Sequence, residues 1–329
     1  MSAMEGKEAT LAWWQEAKFG MFVHWGLYAI PAGEWNGMVI EGASEWLINT
    51  AQIKQADYTP LFDQFRADEF DADEWFRVAK SAGMKYVVAT SKHHEGFCLW
   101  DTEQTDYKAT KTPFGRDALK ELAEASQRAD IPLGFYYSIM DWNHPDYERR
   151  REWDPRPELG EPDMDRYVAY IKAQIKELLS GEYGPVPILW FDGEWEEPWS
   201  HEHGRELYRY CQELSPSTLV NNRVDKGRAD MDGYTKDDQD YGGDFGTPEQ
   251  TVPETPPNEP WESCLTFNQS WGYKPSDQGY KDAPEIARLL QEINGKGGNL
   301  LLNVGPDERG VIPEECRRIL AEVGRLRGV

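Results

Sequence analysis

Val186-Pro-Ile-Leu-Trp-Phe-Asp192 is apolar for most of its length, ends on a carboxylate, and is followed by Gly193-Glu194-Trp195. A short apolar run of this kind reads as a strand buried on both faces, as in a parallel sheet. The same form recurs along the chain. Phe19-Gly-Met-Phe-Val-His24-Trp25 comes first, then Lys85-Tyr-Val-Val-Ala-Thr-Ser91, which leads into Lys92-His93-His94-Glu95. Leu133-Gly-Phe-Tyr-Tyr-Ser138, Thr218-Leu-Val-Asn-Asn-Arg223 and Asn299-Leu-Leu-Leu-Asn-Val304 follow. Helical patterns fill the intervals at 73–82, 117–129, 164–180, 205–214 and 284–294, and a helix over 313–327 closes the chain. Buried strands alternating with helices predict an α/β fold with crossover connections.

The polar residues choose between an open sheet and a barrel. His24, His93, Tyr136, Asp192 and Arg223 sit at or just past the C-terminal ends of different strands. Chemistry converging from many strand ends onto one face is the barrel pattern. The expectation is a (β/α)8-like barrel forming a single catalytic domain over residues 1–329. No G-x-G-x-x-G opens a helix, which disfavours a dinucleotide-binding sheet. Residues 225–260 are polar and rich in Gly, Pro and Asp, too long for a plain connection, and read as a functional loop region.

Composition narrows the partners. The net charge is −24 over 329 residues, and such a surface repels nucleic acid and anionic membranes, so neither is expected as a partner. No stretch of 18 apolar residues exists, and the polar start Met1-Ser-Ala-Met-Glu5 carries no apolar signal region. A cytoplasmic location is the expectation for the chain as it stands, periplasmic or secreted if a leader has been removed. The four cysteines are far apart and form no C-x-x-C pair, so free buried thiols are expected. Fourteen Trp and sixteen Tyr are enough to pack a core and also to offer stacking faces at strand ends, where the C–H face of a pyranose packs on an aromatic ring.

Asp192, at the end of an apolar strand, is the first candidate for chemistry, because glycoside hydrolysis needs one carboxylate facing the anomeric carbon and another protonating the leaving oxygen. His24, His93 and His94 suggest two uses. Three His ligands bind Zn²⁺, but neighbouring residues on an extended chain point to opposite faces, which is poor ligand spacing for His93 and His94. The other use is hydrogen bonding to neutral hydroxyls, since imidazole both donates and accepts. His201 and His203 read as solvated. Arg223 suits a carboxylate or a sugar oxygen, and Glu45-Trp46 combines a polar group with a stacking face.

Taken together and in this order, Lys18-Phe-Gly-Met-Phe-Val-His24-Trp-Gly26, Glu45-Trp46, Lys92-His-His-Glu-Gly-Phe-Cys-Leu-Trp100, Tyr136-Tyr-Ser138, Leu189-Trp-Phe-Asp192, Asn222-Arg223, Ser270-Trp-Gly-Tyr273 and Gly298-Asn-Leu-Leu-Leu-Asn-Val-Gly-Pro306 resemble the α-L-fucosidases of glycoside hydrolase family 29. The resemblance spans nearly the whole chain. It implies a barrel enzyme that removes terminal α-L-fucose from fucosylated oligosaccharides or glycoconjugates with retention, needing no cofactor and no metal. By motif, Asp192 matches the nucleophile. His24, His93, His94 and Tyr136 match residues that bind fucose hydroxyls, and Glu45, Trp46, Trp190, Arg223 and Trp271 match further pocket positions. The acid/base falls to Glu249 in Asp244-Phe-Gly-Thr-Pro-Glu249, with Glu262 in Pro260-Trp-Glu262 as the alternative. Family members usually carry a C-terminal β-sandwich, whereas this sequence ends about one helix after Pro306. The resemblance sets neither linkage preference nor oligomeric state. Two other readings stand beside it: a metal-dependent hydrolase using His24, His93, His94 and Asp192, and a catalytically inactive carbohydrate-binding protein.

Overall fold

The computed structural model describes residues 6–148, 150–235 and 241–329. Helix α1 (Lys7–Ala17) leads into strand β1 (Phe19–Val23), a small antiparallel hairpin of β2 (Glu34–Trp35) and β3 (Met38–Val39), and two single-turn helices, α2 (Leu47–Thr50) and α3 (Gln55–Tyr58). Regular alternation follows: α4 (Ala72–Ser81), β4 (Tyr86–Lys92), α5 (Ala118–Ala129), β5 (Leu133–Ser138), α6 (Met164–Leu178), β6 (Ile188–Asp192), α7 (His201–Leu214) and β7 (Leu219–Val220). After a long irregular stretch come β8 (Glu262–Thr266), α8 (Ala283–Gly295), β9 (Asn299–Val304) and α9 (Glu314–Arg327).

Local chemistry starts the helices where they start. Asp71, Asp117, Asp163, Ser200 and Asp282 each accept a hydrogen bond from the backbone N–H three residues on, satisfying an orphan donor of the first turn. The His203 side chain, which reads as solvated from sequence, completes a capping box with Ser200.

Seven strands form one curled parallel sheet in the order β7-β6-β5-β4-β1-β9-β8. The first strand therefore pairs with the last, Phe19 opposite Leu300 and Val23 opposite Val304. Burial is complete along each of these strands, as two-sided coverage requires. The period of two splits their side chains. Met21, Val87, Phe135, Leu189 and Leu302 face the helices in one core, while Phe22, Val88, Tyr136, Trp190 and Leu301 fill the concave side in another. Gly20 belongs to the concave face because a Cβ there would stand 2.4 Å from the Tyr86 ring.

At the start of the strands, α1 covers the concave core. Trp14 packs on Phe245 with centroids 4.6 Å apart, and its carbonyl accepts a bond from Asn299 Nδ2 at 2.7 Å. Between the two sheet edges runs residues 244–250. Asp244 N–H donates to Val220 O at 2.7 Å on one side, and Glu262 N–H donates to Gly246 O at 3.0 Å on the other. Further bonds join Cys264 N–H to Pro248 O and Gln250 N–H to Cys264 O. Among the described residues the regular ladder thus contains seven strands of the eight that a (β/α)8 barrel needs, with an irregular segment touching both edges.

The strand expected through Arg223 is shorter than its sequence suggests. It ends at Val220, and Asn222–Val224 form a 3-10 turn, because Asn221 spends its side chain on the Phe191 backbone and bends the chain away. The four cysteines are free and buried. Among the described residues, no helix is long and apolar enough to cross a membrane.

Candidate active site

Continuing each concave-face register past the strand ends brings His24, Tyr136 and Asp192 to one rim, around a cavity of about 290 Å³. Asp192 is nearly buried, at 8% exposure. Its Oδ1 accepts from Arg223 Nη1 at 2.8 Å and its Oδ2 from the Tyr136 hydroxyl at 2.9 Å. Burial pushes a carboxyl up, but Arg223, with His94 and Arg228, outweighs it and leaves Asp192 below the ordinary carboxylate value. The group is an anion at neutral pH.

Arg223 is a two-carboxylate clamp. Its Nη2 donates to Glu249 Oε2 at 2.7 Å, while Nε is fixed by Thr247 Oγ1 at 2.9 Å and the guanidinium lies 4.7 Å over the Trp190 ring. Glu249 lines the cavity. Its direction is set by backbone bonds on either side, from its own N–H to Met231 O and from Gln250 N–H to Cys264 O.

The imidazoles are neutral, and their tautomers follow from their neighbours. Burial lowers His24 to about 3 and His94 to about 4, and drives His93 well below its usual value. Asn303 Nδ2 donates to the Trp271 carbonyl, so its Oδ1 faces His24 Nδ1 at 2.7 Å and that nitrogen carries the proton. Ser138 Oγ donates to Met140 O, so it accepts from His94 Nδ1 at 2.6 Å. Each ring is left with an acceptor Nε2. For His94 that acceptor stands 3.7 Å from Asp192 Oδ2, so two acceptors face each other across a gap that suits a donor hydroxyl.

His93 and His94 line the same cavity, with ring centroids 4.1 Å apart. The expectation that neighbours diverge assumed an extended backbone. β4 ends at Lys92, and the chain enters a turn at His94. Among the described residues no group of three or more His, Cys, Asp or Glu side chains is placed to hold a metal ion.

Aromatic rings complete the wall. Trp190 lies under Arg223 and stacks on Tyr136 at 5.8 Å and 18°. Trp271 lies 5.0 Å from His24, and Trp46 meets His94 edge-on at 5.1 Å. Glu45 is buried at the wall. Its Oε2 accepts from Gly272 N–H at 2.8 Å, its Oε1 has no partner among the described residues, and burial lifts it to about 7.

Glu262 is placed elsewhere. It begins β8 on the concave face, has no exposed surface, and does not line the cavity. Its carboxyl accepts from the Trp14 and Trp190 indoles, both at 3.3 Å, and from the Tyr86 hydroxyl. Sequence reasoning passed over Arg228, Asp230 and Met231, which line the cavity from the loop after β7, and left Trp195 unassigned. Only Trp195 carried a signal, in its position three residues after Asp192.

Known proteins resemble this chain in sequence and in fold. The sequence model of the α-L-fucosidase family matches residues 2–327. Tissue α-L-fucosidase from Bos taurus is 32% identical over 331 residues, covering 95% of this chain and 66% of the relative, so the chain spans about two thirds of that protein's length. Among solved structures, α-L-fucosidase isoenzyme 1 from Paenibacillus thiaminolyticus superposes with a TM-score of 0.86 at 40% identity, covering 98% of this chain and 76% of that one. The α-L-fucosidase AlfC from Lactobacillus casei, in complex with α-L-fucose product, gives 0.84 at 33% identity, covering 97% of this chain and 98% of that one. With its family match running from one end to the other and these relatives over almost all its length, the chain belongs to the α-L-fucosidase family of glycoside hydrolases.

Proposed function

We propose that this protein is a retaining exo-α-L-fucosidase acting by double displacement, with Asp192 as nucleophile and Glu249 as acid/base. The observation that carries the reading is the Arg223 clamp, which holds a buried anionic Asp192 and the cavity-lining Glu249 on one guanidinium. Sharing one guanidinium is compatible with the roughly 5–5.5 Å carboxyl separation of retaining glycosidases. In the first step Asp192 attacks the anomeric carbon, the glycosidic bond breaks, and Glu249 gives its proton to the departing oxygen. In the second, Glu249 takes a proton from water, whose oxygen displaces Asp192 and releases fucose.

The remaining groups suit a neutral sugar. Neutral His24 and His94 offer acceptor nitrogens, Glu45 Oε1 is unpaired among the described residues, and Trp271 and Trp190 supply apolar faces. The AlfC relative holds α-L-fucose, and the same sugar fits this set of acceptors and rings. We further infer that residues 244–250 serve as the eighth stave of a (β/α)8-type barrel, since their backbone bonds reach both sheet edges. Hydrolysis of an aryl α-L-fucoside, set against a panel of other aryl glycosides, tests the activity. Preferential release from the fucoside is expected, and turnover of another glycoside at a comparable kcat/KM would overturn the reading.

A further inference from the structure

Away from the active site, unpaired buried donors gather on a second, much smaller cavity. Gln55 of α3 lines it, with Trp142, Arg150, Arg151, Trp153 and Arg156 from the irregular stretch between β5 and α6. Its volume is about 10 Å³, room for one species of about the size of water. Among the described residues, no hydrogen-bond partner meets the indole N–H of Trp142 or Trp153, Gln55 Nε2, Arg150 Nε, or Arg151 Nε and Nη2. Gln55 and Trp142 are each only 5% exposed. One acceptor, Gln55 Oε1, is likewise unpaired. Buried donors are costly to leave unmet, so their concentration on one cavity marks a seat for an acceptor.

Hydrogen-bonding capacity and charge decide which acceptor fits. A water accepts two bonds but must also place two protons of its own, and the unpaired acceptor here is single. An anion donates nothing and takes several N–H groups at once. Arg150, Arg151 and Arg156 line the cavity against one carboxylate, Asp154, which stands 3.6 Å from Arg156. Glu196 accepts from Arg151 Nη1 at 2.7 Å, and the three guanidiniums still exceed these two carboxylates. In a chain of net charge −24 this is a local reversal of sign. Main-chain carbonyls hold the cations in place. Arg156 donates to those of Trp142 and Asn143, and Arg150 to those of Pro145 and Gly160.

We propose that this cavity binds one monovalent anion of halide size, chloride under ordinary conditions, through Gln55, Trp142, Trp153 and Arg151. The ion takes no part in glycosidic chemistry. Gln55 N–H donates to Asp154 Oδ2 at 2.9 Å, so the ion adds to a junction between α3 and the 142–156 segment. Trp142 is shared with the active site. Its ring lies 5.3 Å from that of Trp46 and 5.4 Å from that of His94, and its backbone N–H donates to the His94 carbonyl at 2.8 Å. The anion thus braces the active-site wall from behind.

The test follows thermal unfolding in sodium chloride or sodium bromide. Sodium gluconate, whose anion is too large for the cavity, keeps the ionic strength constant. Wild-type Tm is expected to rise along a saturable curve in either halide, by about 2 °C at roughly ten times the dissociation constant. Trp142→Phe removes one N–H and no charge, and should weaken the halide about tenfold. Arg151→Met should abolish the saturable rise. A wild-type Tm that does not respond to halide, or a rise with the same midpoint in both variants, would overturn the proposal. Diffraction from wild-type crystals, at the bromide concentration that half-saturates the curve, locates the ion without any variant. An anomalous peak within hydrogen-bond reach of Gln55 Nε2 and Trp142 Nε1 is expected. A water at that place, with no bromide signal, would overturn the site. Neither readout uses turnover, so the result is independent of the fucosidase reading.

Discussion

Arg223 Nη1 donates to Asp192 Oδ1 across 2.8 Å, and both side chains are withdrawn from solvent. The contact settles the charge state of Asp192, because burial alone would favour the neutral acid. A carboxyl held below its ordinary value stays ionised until the pH falls through that lowered value, so the acid limb of kcat/KM should lie below the ordinary Asp value of about 3.9. Arg223→Lys keeps the charge but loses the planar fork. Its acid limb should move up by about one pH unit, as read from the pH dependence of kcat/KM on an aryl fucoside. An unmoved limb would mean that the pairing does not control Asp192.

Glu249 lines the cavity and Glu262 lies beneath it, so their variants should differ in kind. Glu249→Ala is expected to slow a poor leaving group by about a hundredfold or more and a dinitrophenyl fucoside far less, since general-acid help matters most when the departing oxygen is basic. It should also flatten the basic limb of the pH profile. Glu262→Gln should show no dependence on leaving group. The reverse pattern would exchange the two roles.

The proposed function uses the His24, His93 and His94 cluster for hydroxyl recognition, with one acceptor nitrogen on each of the hydrogen-bonded His24 and His94 rings. Prolonged dialysis against EDTA should therefore leave turnover within error of the untreated protein. Activity lost to the chelator and restored by Zn²⁺ would favour the metal-dependent alternative.

Glu262 makes stability depend on pH. Burial lifts its carboxyl to about 7, against the Tyr86 and Trp hydrogen bonds that favour the anion. A carboxyl raised above its unfolded value contributes stability that is complete below about pH 4.3 and is lost as the pH climbs to about 7, by an amount on the order of 3 kcal/mol. Glu262→Gln has no proton to lose. Its Tm relative to wild type should rise between pH 5 and pH 8, and a difference constant across that range would refute the burial argument.

Much of this architecture is legible in the sequence because parallel strands buried on both faces write themselves as apolar runs. The period of two then places Tyr136 and Asp192 on one face without further information. What escaped depends on contacts distant in sequence. Arg223 reads as a strand end, but the side chain of Asn221 turns the backbone into a 3-10 turn. His93 and His94 read as divergent because local sequence does not reveal that the strand stops at Lys92. Glu249 and Glu262 are both carboxylates after a proline-containing stretch, and only their tertiary surroundings separate a cavity wall from a buried indole-lined site. Arg228 and Met231 lie in an aperiodic loop, where no pattern marks the residues that turn inward.

The most direct test of the central claim is to trap the covalent intermediate. A 2-deoxy-2-fluoro-α-L-fucosyl fluoride slows both displacements, the electron-poor ring disfavouring the oxocarbenium-like transition state, while its good leaving group lets the first step proceed. Peptide mass spectrometry after incubation should find one deoxyfluorofucosyl group per chain, on the peptide that contains Asp192, with turnover lost in proportion to labelling. A label on another carboxylate, or an active enzyme that accumulates no adduct while it is inhibited, would contradict Asp192 as the nucleophile of a retaining fucosidase.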